Sequence, residues 1–160
     1  MRLTRRTADG DRQADRGFSL IEVVLAIGLL AGVLISIASM FLLGGRQVKT
    51  GKTITEATTM ANDFMEQLEQ RSFTALYTSL GAAATDTTKT VFSNVTGSPI
   101  ASWQPTISAA LQQGVASVTI LPKGPGTPTF GSATGIRVTV TLTWSDLGHP
   151  HTVAVSTARF

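Results

Sequence analysis

The sequence predicts an α+β protein in which the second half of one long N-terminal helix packs on a small antiparallel β-sheet. Three observations carry this reading. Residues 18–43 form an apolar run whose only ionisable residue is Glu22. Apolar residues then recur at Ile54, Ala57, Ala61, Phe64, Met65 and Leu68, which is helical spacing along one face. Near the C-terminus Ile136, Val138, Val140, Leu142 and Trp144 alternate with Arg137, Thr139, Thr141 and Thr143, the period of a half-buried strand.

The chain of 160 residues divides by composition. Residues 1–17 are polar and charged, with no apolar period, and read as a leader. Residues 18–43 would extend about 39 Å as a helix, more than the roughly 30 Å of a bilayer's hydrocarbon core. A transmembrane helix is the expectation. Residues 44–160 form the remaining domain, with an amphipathic helix over about 53–72 and a sheet mainly within 115–159. No proline occurs before Pro99, so one helix from Phe18 to about Arg71 is permitted. Gly44, Gly45 and Gly51 are its weak point, and a bend or loosening is expected there.

Residues 78–102, rich in Ser, Thr, Ala and Gly, read as loop, with a short strand over Thr90–Val95. A helix from Trp103 to Gln113 stops at Gly114. Val115–Leu121 reads as a strand, and the proline- and glycine-rich stretch from Pro122 to Gly135 as a long loop open as a contact surface. After the strand over 136–144, Ser145 to Pro150 supplies turn chemistry, and Val153 and Val155 continue the alternation. Residues 136–159 are therefore a predicted β-hairpin, and its apolar face needs the stripe at 54–68 as a cover.

The net charge is +3, but five Arg and three Asp lie in the first seventeen residues. The rest is nearly neutral, and Lys89, Lys123, Arg137 and Arg159 are scattered. Nucleic-acid binding needs clustered cations, so none is expected. The absence of cysteine excludes disulfides and thiolate metal sites. No set of nucleophile, base and metal ligands stands out, so neither an enzyme nor a cofactor is expected.

The informative segment is Arg16-Gly17-Phe18-Ser19-Leu20-Ile21-Glu22. A charged leader ends in glycine, and an apolar helix with a carboxylate at its fifth residue follows. An acid in an apolar span is costly, and its partner should be sought. Cleavage between Gly17 and Phe18 would create one: a new α-ammonium on Phe18, at the positive end of the helix dipole. Glu22 could pair with that amine in its own chain, at i and i+4, or in a neighbour. A buried ion pair needs both members. Gly28 and Gly32 make a small-xxx-small match that would permit close helix approach.

At Gly17, Phe18, Ser19, Leu20, Ile21 and Glu22 the sequence resembles the type IV prepilin and pseudopilin family. The resemblance implies a pilin-like fold and cleavage after Gly17 by a prepilin peptidase. It also implies N-methylation of Phe18 and a docking role for Glu22 during fibre assembly. The implied partners are that peptidase, other pilin or pseudopilin subunits, and the lipid of the bacterial inner membrane. The chain would cross that membrane once, N-terminus in the cytoplasm, with residues 44–160 outside it, before entering a fibre. Ala57 to Leu68 is similar to the second half of the family's long helix. Trp103 to Leu111, with the strand ending at Trp144, is similar to minor pilins of the PilV kind, with Gln112 in place of their proline and without the cysteine pair of many major pilins. A minor pilin of a type IV pilus is the expected function. A type II secretion pseudopilin is the alternative within the family, and an uncut signal-anchored binding module the alternative outside it.

Other candidates read more plainly. A secretory signal with cleavage near Ser36-Ile37-Ala38 would have too long an apolar region, with Glu22 badly placed inside it. Asp146, His149 and His151 fall short of a metal-ligand set and read as turn residues. Gly124-Pro125-Gly126 lacks the pattern of a phosphate loop. Asn94-Val95-Thr96 matches a glycosylation sequon, a match common by chance. Trp103 and Trp144 are expected in the core.

Overall fold

The computed structural model describes residues 18–146 and 148–160. The leader 1–17, with Gly17, lies outside the described residues. The elements are α1 (Leu20–Glu69), α2 (Phe73–Ser79), β1 (Lys89–Phe92), a 3-10 turn at Ala101–Trp103 leading into α3 (Gln104–Ala110), β2 (Val115–Lys123), β3 (Gly135–Asp146) and β4 (His149–Arg159). The fold is α+β, with the long N-terminal helix packed on a four-stranded antiparallel sheet of order β1-β2-β3-β4. The chain divides into two compact units between Gly44 and Gly45. The glycines do not interrupt α1, which stays helical from Leu20 to Glu69.

In the unit after Gly45, α1 contributes Ala57, Ala61, Phe64, Met65 and Leu68 to the core. The stripe begins one turn later than its spacing implied, because Ile54 is 41% exposed. The helix also ends before residue 72. Ser72 caps a separate helix by accepting from the Ala75 amide at 3.4 Å, and Leu76, Tyr77 and Leu80 enter the core from there. Arg159 Nη1 donates to the Arg71 carbonyl at 2.6 Å, tying the end of β4 to this junction.

The inner face of the sheet is set by register. Val91 lies opposite Val118, Val118 opposite Val140, and Val140 opposite Val155. The first three are buried, whereas Val155 on the edge strand is only half-buried. The other face carries hydroxyls, with Thr90, Thr119, Thr139 and Ser156 in one row across all four strands and Thr90 Oγ1 3.0 Å from Thr119 Oγ1. Threonine suits a pleated, solvated surface and leaves the apolar positions for the covered side. Phe64 and Trp103 stack with centroids 4.2 Å apart, and Trp103 and Trp144 are both core residues, as expected.

The loops depart most from the sequence reading. β1 spans Lys89–Phe92 and ends before Val95, where the chain turns through exposed Asn94. β2 continues through Pro122, paired with Ile136, to Lys123. The stretch up to Gly135 is pinned to the core: Phe130 is buried against Tyr77, centroids 5.4 Å apart, and the Gly131 amide donates to the Ala84 carbonyl at 2.7 Å. A buried polar bridge joins three elements. Gln104 Nε2 donates to the Gly114 carbonyl at 2.9 Å, and the Ala116 amide donates to Ser93 Oγ at 2.9 Å. Ser93 Oγ in turn donates to Gln104 Oε1 at 2.5 Å.

Gly114 follows α3, but not as its left-handed stop. The left-handed residue is Gln113, at φ 54°. Gly114 is needed for space, since a Cβ there would meet Ile107 Cγ2 at 2.6 Å and Leu111 Cβ at 2.8 Å. Gly114→Ala is expected to lower unfolding stability by about 1–3 kcal/mol through overpacking. The midpoint of urea denaturation measures this, and an unchanged midpoint would show that α3 shifts freely.

Candidate functional site

Phe18 and Ser19 precede α1, and Glu22 sits in its first turn, where the Ser19 carbonyl accepts from the amides of Glu22 at 2.9 Å and Val23 at 3.2 Å. A carboxylate is favoured at this end by the dipole. No ion pair or side-chain hydrogen bond involves Glu22 among the described residues. Phe18 carries a peptide nitrogen in this chain, so the amine proposed to pair with Glu22 exists only after cleavage. Phe18 is 82% exposed.

The apolar part of α1 is exposed around its whole circumference. Its most apolar window has mean hydropathy 2.7 and no buried residue. A helix apolar on all sides belongs inside a membrane or among other apolar helices. By length and composition it can cross a membrane. At Gly28 and Gly32 an added Cβ would meet nothing within 4 Å, so both positions are open to close approach.

A second, polar cluster lies in the unit after Gly45. The inward series of β3 continues from Trp144 to Asp146, so Asp146 is buried and is not an exposed turn residue. The period-two pattern already contained this placement: Asp146 is the next position after 136, 138, 140, 142 and 144. Lys49 Nζ lies 3.5 Å from Asp146 Oδ1, with the Lys49 side chain 64% exposed. Such a half-solvated pair contributes at most about 1 kcal/mol. His149 and His151 open β4; His149 is exposed, and His151 stacks on Trp144 at 5.4 Å. Trp144 Nε1 is buried and has no acceptor among the described residues. An unpaired buried donor costs about 1–3 kcal/mol. Two clefts meet at Asp146. One, of about 360 Å³, is bounded by Lys49, Thr53, Ser108, Gln112 and Trp144. The other, of about 440 Å³, is bounded by Arg46, Thr50, His149 and His151.

No protein-family model matches the chain, and neither a curated protein nor a solved structure does. Fold and sequence therefore define a class: an α+β domain on a helix that can cross a membrane.

Proposed function

We propose that this chain is a structural subunit of a type IV pilus or related fibre, in the manner of a minor pilin. A prepilin peptidase cuts after Gly17, Phe18 is N-methylated, and the apolar helix passes from the inner membrane into the fibre core. The observation that carries the reading is the junction at Gly17 to Glu22, which opens an exposed apolar helix with one carboxylate in its first turn. Residues 45–160 already hold the buried core, so the apolar part of α1 is left for lipid or for other helices. In such surroundings helices associate by packing and polar contacts, and Glu22, Gly28 and Gly32 supply both. The sequence from Trp103 to Leu111 and the strand sequence ending at Trp144, similar to those of minor pilins, favour the pilus over the secretion pseudopilus.

Intact mass and N-terminal sequencing of protein from bacterial membranes test this. The expected product lacks residues 1–17 and carries one methyl group on Phe18. A full-length chain would support an uncut, signal-anchored module instead.

A further inference from the structure

We propose that the cleft pair around Asp146 binds the phosphate headgroup of an anionic phospholipid. The proposal rests on the reading that residues 18–43 cross the membrane. Arg46 and Lys49 follow Leu43 by only three and six residues, so the chain itself holds them close to the end of the apolar run. That is headgroup depth, where anionic lipid attracts basic residues close to a transmembrane helix.

The residues fit a phosphate. Arg46 and Lys49 bring two positive charges against the one carboxylate of Asp146. Lys49 is held only by a long contact of 3.5 Å to Asp146 and its side chain is 64% exposed, so a phosphate oxygen can reach the ammonium. Trp144, 4% exposed, lines the same cleft and holds an indole N–H without an acceptor. That N–H is enclosed, so Trp144 reports on the cleft without touching a ligand, and the Thr53 and Ser108 hydroxyls that line it already donate to the Thr50 and Gln104 carbonyls.

The test uses the full chain with Trp103→Phe, so that Trp144 alone reports by fluorescence. The protein is placed in phosphatidylcholine discs with and without phosphatidylglycerol. Phosphatidylglycerol is expected to shift Trp144 emission. In mixed micelles the apparent affinity for it is expected to fall about fivefold for Arg46→Gln and about twenty-five-fold when Lys49→Gln is added. Lys89→Gln, on β1, is expected to change nothing. Identical emission from inserted protein in both kinds of disc overturns the site. An equal response to inorganic phosphate without lipid reassigns it to free phosphate. A response that follows protein density and ignores lipid composition reassigns Arg46 and Lys49 to a subunit contact, which also overturns the proposal. Failure to insert into any disc overturns the membrane-crossing reading, and the lipid site with it.

Discussion

Replacing Glu22 with Ala is expected to leave cleavage after Gly17 largely intact while depleting the protein from sheared fibres. Cleavage acts at the Gly17–Phe18 bond behind the charged leader, and the substitution leaves the leader and both of those residues unchanged. Assembly is different. Once the helix leaves lipid for a bundle of apolar helices, the Phe18 ammonium loses its only proposed partner. Breaking a buried ion pair by removing one member costs about 3–5 kcal/mol. That weakens an association by on the order of a hundredfold or more. Glu22→Gln separates charge from size: it keeps volume and hydrogen-bonding capacity, yet is expected to be depleted nearly as strongly. Immunoblots of the membrane and fibre fractions measure both quantities. Normal amounts of either variant in fibres would rule out the docking role while leaving the cleavage reading standing. Glu22 is also favoured at a helix N-terminus by the dipole alone, a contribution of only about 0.3–1 kcal/mol. The size of the defect therefore distinguishes the two roles.

The second large effect concerns the sheet. Leu142 is fully buried at the centre of β3, between Ala116 on β2 and Val153 on β4. Leu142→Ala is expected to cost about 2–5 kcal/mol, through lost apolar burial and the cavity that remains. Its neighbour Thr141 faces the hydroxyl-bearing side, and Thr141→Ala is expected to stay within about 0.5 kcal/mol of the parent. Urea denaturation of residues 45–160, expressed without the apolar helix, measures both. That fragment contains the buried core residues, so it is expected to unfold cooperatively. Similar losses for Leu142→Ala and Thr141→Ala would mean that the assigned register is wrong, because a shift of one residue exchanges the two faces.

Much of this architecture was legible in the chain itself. The apolar run at 18–43 is a signal of composition, while the stripe read at 54–68, buried from Ala57 onward, and the alternation over 136–144 are periodic signals that follow from where side chains point along a regular backbone. Periodicity also made Asp146 an inward residue, although its turn-like neighbours argued for the surface. Other features had no local signature. The split into α1 and α2 depends on Ser72, one hydroxyl in a polar stretch. The anchoring of Phe130 depends on Tyr77, more than fifty residues earlier. Gln113, rather than Gly114, takes the left-handed conformation, and Gly114 is glycine because Ile107 and Leu111 occupy the space a Cβ would need.

The two candidate sites divide in the same way. The junction from Gly17 to Glu22 is contiguous, and its proposed chemistry is an acid four residues from the amine that cleavage would create; sequence by itself sufficed to single it out. The cleft around Asp146 draws Arg46 and Lys49 from one end of the chain and Trp144, His149 and His151 from the other. Charges almost a hundred residues apart carry no common spacing. Only the packing of α1 against β3 and β4 brings them within reach of one ligand.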